Sequence, residues 1–114
     1  MKEEKIKLGV VGVDSGQLII CDPGYIDSEW KKEEFIQNKE GNIKPKHPFS
    51  YNAACSKTIE GLGGQLNFKM GHAGVGVAFS SGFGDGVYDV IATISDEGKS
   101  GKIVKKVEII LIRK

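Results

Sequence analysis

The chain is short of the residue types that most often announce chemistry. It has two histidines, two cysteines, one tryptophan and three prolines in 114 residues. Two histidines make no zinc-type ligand spacing. His47 lies between Pro45 and Pro48 and reads as exposed, and His72 stands between Gly71 and Ala73. Cys21 and Cys55 do not form a secreted disulfide framework and read as free thiols, Cys21 within a buried strand run. No apolar run approaches the ~20 residues of a membrane helix. The opening Met1-Lys2-Glu3-Glu4-Lys5 lacks the apolar stretch of a signal peptide, so the expectation is a cytoplasmic protein with no membrane partner. Charge of one sign is missing as well. Sixteen Lys and Arg stand against fifteen Asp and Glu, a net charge of +1. Without clustered positive charge no nucleic-acid partner is expected. Lys31-Lys32 beside Glu33-Glu34, and Lys105-Lys106 beside Glu108, read as mixed, solvated surface.

What the chain has in excess is glycine. Nine of its 16 glycines fall between Gly61 and Gly86. Glycine costs backbone entropy in regular elements, so this density points to tight turns, bulges and close backbone approaches. Hydrophobic residues at 39% and charged residues at 27% describe an ordinary folded chain. A single domain spanning 1–114 buries roughly two thirds of its unfolded surface and needs neither disulfide nor metal to fold.

Alternation of period two marks most of the elements. Ile6, Leu8 and Val10 predict a first strand running to about Val13. Asp14-Ser15-Gly16 then reads as a three-residue hairpin turn, with Gly16 in the left-handed conformation, leading into the apolar run Leu18 to Cys21. That run does not alternate, so both of its faces are expected to be covered. Asp22-Pro23-Gly24 ends it. Asp27-Ser28 is positioned to cap a short helix over Glu29 to about Asn38, anchored by Trp30. The stretch from Phe49 to Ile59 fits either a strand or a helix. Gln65 to Met70 and Val75 to Phe79 predict short strands. Tyr88 to Ile94 and Ile103 to Ile112 predict a final hairpin around the polar tip Asp96 to Gly101. The fold class is mainly β, a β-rich α+β domain. Its expected form is a small barrel-like or sandwich antiparallel sheet of six to seven strands with one short helix.

Gly82-Phe83-Gly84-Asp85-Gly86 invites comparison with phosphate-binding loops. Such loops open a helix, and here a strand follows, so a tight turn is the better reading. Asp14, Asp22, Asp85 and Asp89 lie near turns, where Asp bonds to local backbone. Their spacing does not match an EF-hand. No metal is expected, with Asp14, Asp85 and Asp89 the weak candidates, and no cofactor is expected. Asp89 interrupts an apolar strand, where a carboxylate needs a partner. A Cys/His pair can be assembled on paper from Cys21 or Cys55 with His47 or His72, but no catalytic motif supports it.

Two segments carry a resemblance. Val13-Asp14-Ser15-Gly16-Gln17-Leu18-Ile19-Ile20-Cys21-Asp22-Pro23 resembles the SGxIxxCDP opening of an uncharacterised bacterial domain family of unknown function. Phe79-Ser80-Ser81-Gly82-Phe83-Gly84-Asp85-Gly86-Val87-Tyr88 resembles that family's SSGxGDGxYPV segment, with Asp89 standing where proline is often found. The resemblance brings no chemistry with it. It does imply that the two turns, Asp14 to Gly16 and Ser80 to Gly86, form a matched pair.

These observations lead to a non-enzymatic binding or protein-interaction domain of a bacterium or phage, monomeric or homodimeric. Its unidentified protein or small-molecule partner is expected at Asp14, Ser15, Asp22, His72, Asp85 and Tyr88. The alternatives are a metal- or Cys/His-dependent hydrolase at the same Asp14/Asp85 end of the sheet, and an immunity-type protein that binds a toxin.

Overall fold

A computed structural model gives the fold and describes residues 2–113, with Met1 and Lys114 outside the described residues. In chain order the elements are β1 (Glu3–Val13), β2 (Gln17–Cys21), α1 (Gly24–Ser28), α2 (Tyr51–Glu60), β3 (Gly63–Asn67), β4 (Ala73–Ser80), β5 (Gly86–Asp96), a 3-10 turn (Gly98–Ser100) and β6 (Lys102–Ile110). The six strands form two antiparallel three-stranded sheets, ordered β1-β5-β6 and β2-β4-β3. The expected β-rich class holds, but the strands do not share one sheet and do not close a barrel. The chain divides into two compact units, one of residues 1–16 and 82–114, the other of residues 17–81.

The 17–81 unit has a conventional core. Phe49, Ala53, Ala54, Leu66, Val75 and Ala78 are buried together, with Ile19, Cys21, Tyr25, Trp30 and Phe68 packed against them. Helix α2 begins where Ser50 Oγ accepts the Ala53 N–H at 3.1 Å, a side-chain N-cap that satisfies one of the orphan donors of the first turn. Ala53 and Ala54, small and good helix formers, then let the helix lie close on the sheet. Opposite them Cys21, Gly76 and Leu66 form one cross-strand row. A Cβ at Gly76 would come within 2.9 Å of the Ile20 carbonyl and 3.3 Å of the Phe49 ring, so only glycine lets that ring settle on the sheet.

Several sequence expectations need correction in this unit. No helix spans Glu29 to Asn38. That segment bonds to distant partners instead: the Lys31 N–H donates to the Phe49 carbonyl at 3.0 Å, and the Glu33 carboxylate accepts the Lys46 N–H at 3.1 Å. Asn38 Oδ1 accepts from the Glu40 and Asn42 amides, which closes a turn. Trp30 still acts as an anchor, edge-on to Phe49 with ring centroids 4.9 Å apart. The ambiguous stretch is the helix α2. Strand β3 stops at Asn67, because the Phe68 N–H donates to the His72 carbonyl and the Gly71 N–H to the Phe68 carbonyl, turning the chain. Met70 is therefore exposed rather than packed beside Leu66. Strand β2 is an edge strand with Ile20 exposed, so it is not covered on both faces.

The other unit is a sheet with little interior. Its buried apolar residues are Val13 and Ala92. The final hairpin β5–β6 forms as expected, with Ala92 opposite Val107 and Val90 opposite Ile109. The expected β1–β2 hairpin does not form. β1 pairs with β5 along its whole length and β2 pairs with β4. Gly16 does take the left-handed conformation, at φ 68°, but its N–H is donated to Asp85 rather than back across a hairpin. The bend at 14–16 thus delivers the chain into a second sheet.

Candidate functional site

The two glycine-bearing turns meet at one end of β1 and β5, where Val13 is paired with Gly86. Asp85 Oδ1 accepts the Gly16 N–H at 2.8 Å. The Tyr88 hydroxyl donates to the Gly84 carbonyl, which fixes the far side of the second turn. The carboxylate of Asp85 and the phenol of Tyr88 therefore both bond to turn backbone. Asp14 and Ser15 project from the first turn, exposed and without a side-chain hydrogen bond among the described residues.

The remaining predicted residues fall in the 17–81 unit. Asp22 Oδ1 accepts the Gly24 N–H at 2.8 Å, an Asx turn that starts α1. The His72 ring stacks on Phe68, with centroids 4.6 Å apart and planes 19° from parallel. Asp14, Ser15, Asp85 and Tyr88 thus belong to one unit, and Asp22 and His72 to the other. Asp89 finds the partners its apolar strand requires, in Lys7 at 3.2 Å and Arg113. Among the described residues no group of three or more His, Cys, Asp or Glu side chains is arranged to hold a metal.

The two cysteines also have settled surroundings. Cys21 packs against the core, and buried Cys55 accepts a hydrogen bond from Gln17 Nε2 at 3.2 Å. The other end of the Gln17 amide accepts from the Thr58 hydroxyl at 2.8 Å. A hydrogen bond to Cys55, reinforced by burial, holds the Tyr51 hydroxyl above its ordinary pKa.

Two surfaces were not singled out by sequence. One is a face of the β1-β5-β6 sheet. Register places Ile6, Ala92 and Val107 in one row, Glu4, Ile94 and Val104 in the next, and Gly9, Val90 and Ile109 in a third. Ile6, Val104 and Val107 are 40%, 53% and 50% exposed. The opposite face carries Lys5 bonded to Glu108 at 3.4 Å and Lys7 bonded to Asp89. The period-two alternation did signal an apolar face here, but not that it stays open. The second surface is a cleft of about 210 Å³ in the 17–81 unit, lined chiefly by Glu29, Lys31, His47, Pro48, Phe49 and Lys69. Three separate chain segments build it, so no local pattern announces it.

The family model for "Protein of unknown function (DUF4241)" matches residues 1–105. The chain belongs to DUF4241. No curated protein and no solved structure matches it. Membership agrees with the expected resemblance to an uncharacterised domain family of unknown function. In this DUF4241 chain the two turn segments are tied directly to each other by the Gly16–Asp85 hydrogen bond. No helix among the described residues is long and apolar enough to cross a membrane.

Proposed function

We propose that the chain is a non-enzymatic protein-interaction domain that docks through the apolar face of β1-β5-β6, and that the occupant of that face is a second copy of the same chain. The observation that carries this reading is the exposure of Ile6, Val104 and Val107 on a sheet whose other face is occupied by ion pairs. Apolar area left in water is the main reserve of association free energy. The one charge on these three rows is Glu4, beside Ile94, and Lys102 pairs with it at 3.5 Å, so little on them repels an identical face related by a two-fold axis.

The edges favour face-to-face over edge-to-edge contact. Strand β6 carries a bulge beside Lys105 and Lys106, and β1 carries one at Leu8. Bulges and lysines both discourage strand addition. Three strands about 4.8 Å apart and roughly 30 Å long present on the order of 430 Å² per copy. Two copies bury roughly 900 Å², less than the ~1,200 Å² of a stable complex, so the dimer is weak. The side chains that a catalytic reading would recruit are already engaged: Asp85 on Gly16, His72 on Phe68, Cys55 on Gln17.

Sedimentation between about 10 µM and about 1 mM tests this, since that range brackets a weak dimer. The native chain is expected to grow in apparent mass with concentration. Val104→Lys combined with Val107→Lys is expected to hold it monomeric with little change in melting temperature, both positions being exposed. A native chain that stays monomeric throughout, or a double variant that associates as the native does, overturns the reading.

A further inference from the structure

We infer that the cleft between α1 and the 47–49 segment binds a small organic anion, a phosphate or carboxylate head on a short apolar tail. This site is separate from the sheet face and does not depend on it. All five ion pairs among the described residues lie in the unit of residues 1–16 and 82–114. Among the described residues Lys31 and Lys69 have no acidic partner, yet both line one cleft. Glu29 is the single carboxylate in that lining. Glu33, two residues beyond Lys31, accepts from the Lys46 N–H and the Ser50 hydroxyl instead. Two unpaired ammonium groups and the His47 ring therefore meet one carboxylate, which favours an anion.

The floor supplies the rest of the specificity. Pro48 lines the cleft with half-buried apolar surface, and Phe49 lies beneath it. Phe49 is 2% exposed and held by Trp30 edge-on at 4.9 Å. The Lys31 N–H bonded to the Phe49 carbonyl at 3.0 Å fixes the root of that lysine beside the floor. A site already organised in this way binds without paying to order its backbone. At about 210 Å³ the cleft falls below the ~300 Å³ lower end of drug-sized pockets, so the ligand is small. One charged head and one ring or short chain fit that description.

Trp30 is the only tryptophan and touches Phe49, so its fluorescence reports on the cleft. The experiment is a fluorescence titration of the full chain with phenyl phosphate, benzoate, inorganic phosphate and benzyl alcohol. A saturable change is expected with phenyl phosphate or benzoate, whichever head the lysines prefer. Inorganic phosphate, without a tail, and benzyl alcohol, without a charge, are expected to bind more weakly. Replacing both lysines, Lys31→Met with Lys69→Met, is expected to weaken binding about tenfold or more, as for loss of charge-assisted contacts. Lys106→Met, in the other unit, is expected to leave it unchanged. The exposed positions of Lys31 and Lys69 keep the double variant folded, which circular dichroism checks. The inference fails if neither anion gives a saturable change up to about 20 mM, a limit beyond millimolar affinity. It also fails if the double variant binds as the native chain does, or if benzyl alcohol binds as tightly as the anions.

Discussion

The two units use three strands each and stabilise them by different means. In the 17–81 unit a helix covers one face of the sheet, and the buried cluster around Phe49, Leu66 and Val75 lies between them. The unit of residues 1–16 and 82–114 has no α-helix of its own among the described residues, and Val13 and Ala92 are its buried apolar residues. Its longer strands offer more ladder hydrogen bonds and cross-strand pairs, and it places every ion pair found among the described residues. Exposed pairs of that kind contribute about 0–1 kcal/mol each. The contrast suggests a division of labour. One unit buries its own interior, and the other leaves apolar side chains such as Ile6, Val104 and Val107 exposed.

The strongest way to break the comparison is at the core. Phe49→Ala removes a ring that is 2% exposed and carries the contacts of Trp30 and the sheet at Gly76. Large-to-small changes of this kind cost about 3–5 kcal/mol. Denaturant unfolding measures the loss. Hydrogen exchange is expected to place the earliest loss of protection in α2 and β2 to β4. An effect below about 1 kcal/mol, the scale of an ordinary surface change, shows that the cluster is not what holds this unit.

The contrast between the units also explains which parts of the fold were legible in the sequence. The hairpin β5–β6 was readable because alternation reports a face locally and its partner follows after a short tip. The partner of β1 was not readable. Its residues lie from 73 positions away at Val13–Gly86 to 92 at Glu3–Ser95, and a three-residue bend ending in glycine looks the same whether it closes a hairpin or leads to another sheet. The segment after Trp30 carried a capping signal at Asp27-Ser28, but its backbone groups are claimed by Phe49, Asn42 and Asn52, contacts that no local pattern encodes. Of the candidate residues, the two turns were correctly paired with each other. Their side chains proved to be bonded to backbone at Asp85 and Tyr88. The lysine-lined cleft was missed because Lys31 has acidic neighbours in sequence and lacks an acidic partner in space among the described residues.

A smaller effect sharpens the comparison within the sheet unit. Asp85→Ala removes the acceptor of the Gly16 N–H. That amide is partly exposed and regains water, so the cost is about 0.5–1.5 kcal/mol, the net worth of an ordinary hydrogen bond. Exchange of the Gly16 amide is expected to accelerate, and anion binding in the other unit to stay as it was. A variant with unchanged stability and unchanged Gly16 exchange removes the structural account of the turn and returns Asp85 to the list of ligand-facing residues.

The smallest expected effect concerns the ion pairs themselves. Glu3 bonds Lys105 on the sheet surface. The hydrogen bond and charge of Lys105 hold the Glu3 carboxyl below its ordinary pKa, and those of Glu3 hold the Lys105 ammonium above its own. For Glu3 the folded state binds its proton less tightly than the unfolded chain. Its contribution is therefore present above the usual carboxylate range and is lost as pH falls through the lowered value. For Lys105 the sign is opposite: the contribution is present below the usual lysine range and is lost as pH rises through the raised value. The pair is thus complete across neutral pH and weakens toward both extremes. Both groups are exposed, so water and salt screen them. Melting temperature followed against pH for the native chain and Glu3→Gln is expected to show a slight native advantage near neutrality. That advantage is expected to vanish in acid and in about 0.5 M salt, where the screening length is only a few ångströms. A large difference that persists in salt means that ion pairs, rather than strand pairing, hold the sheet together. Its open apolar face then contributes less to folding than its composition implies, and is correspondingly freer to serve association.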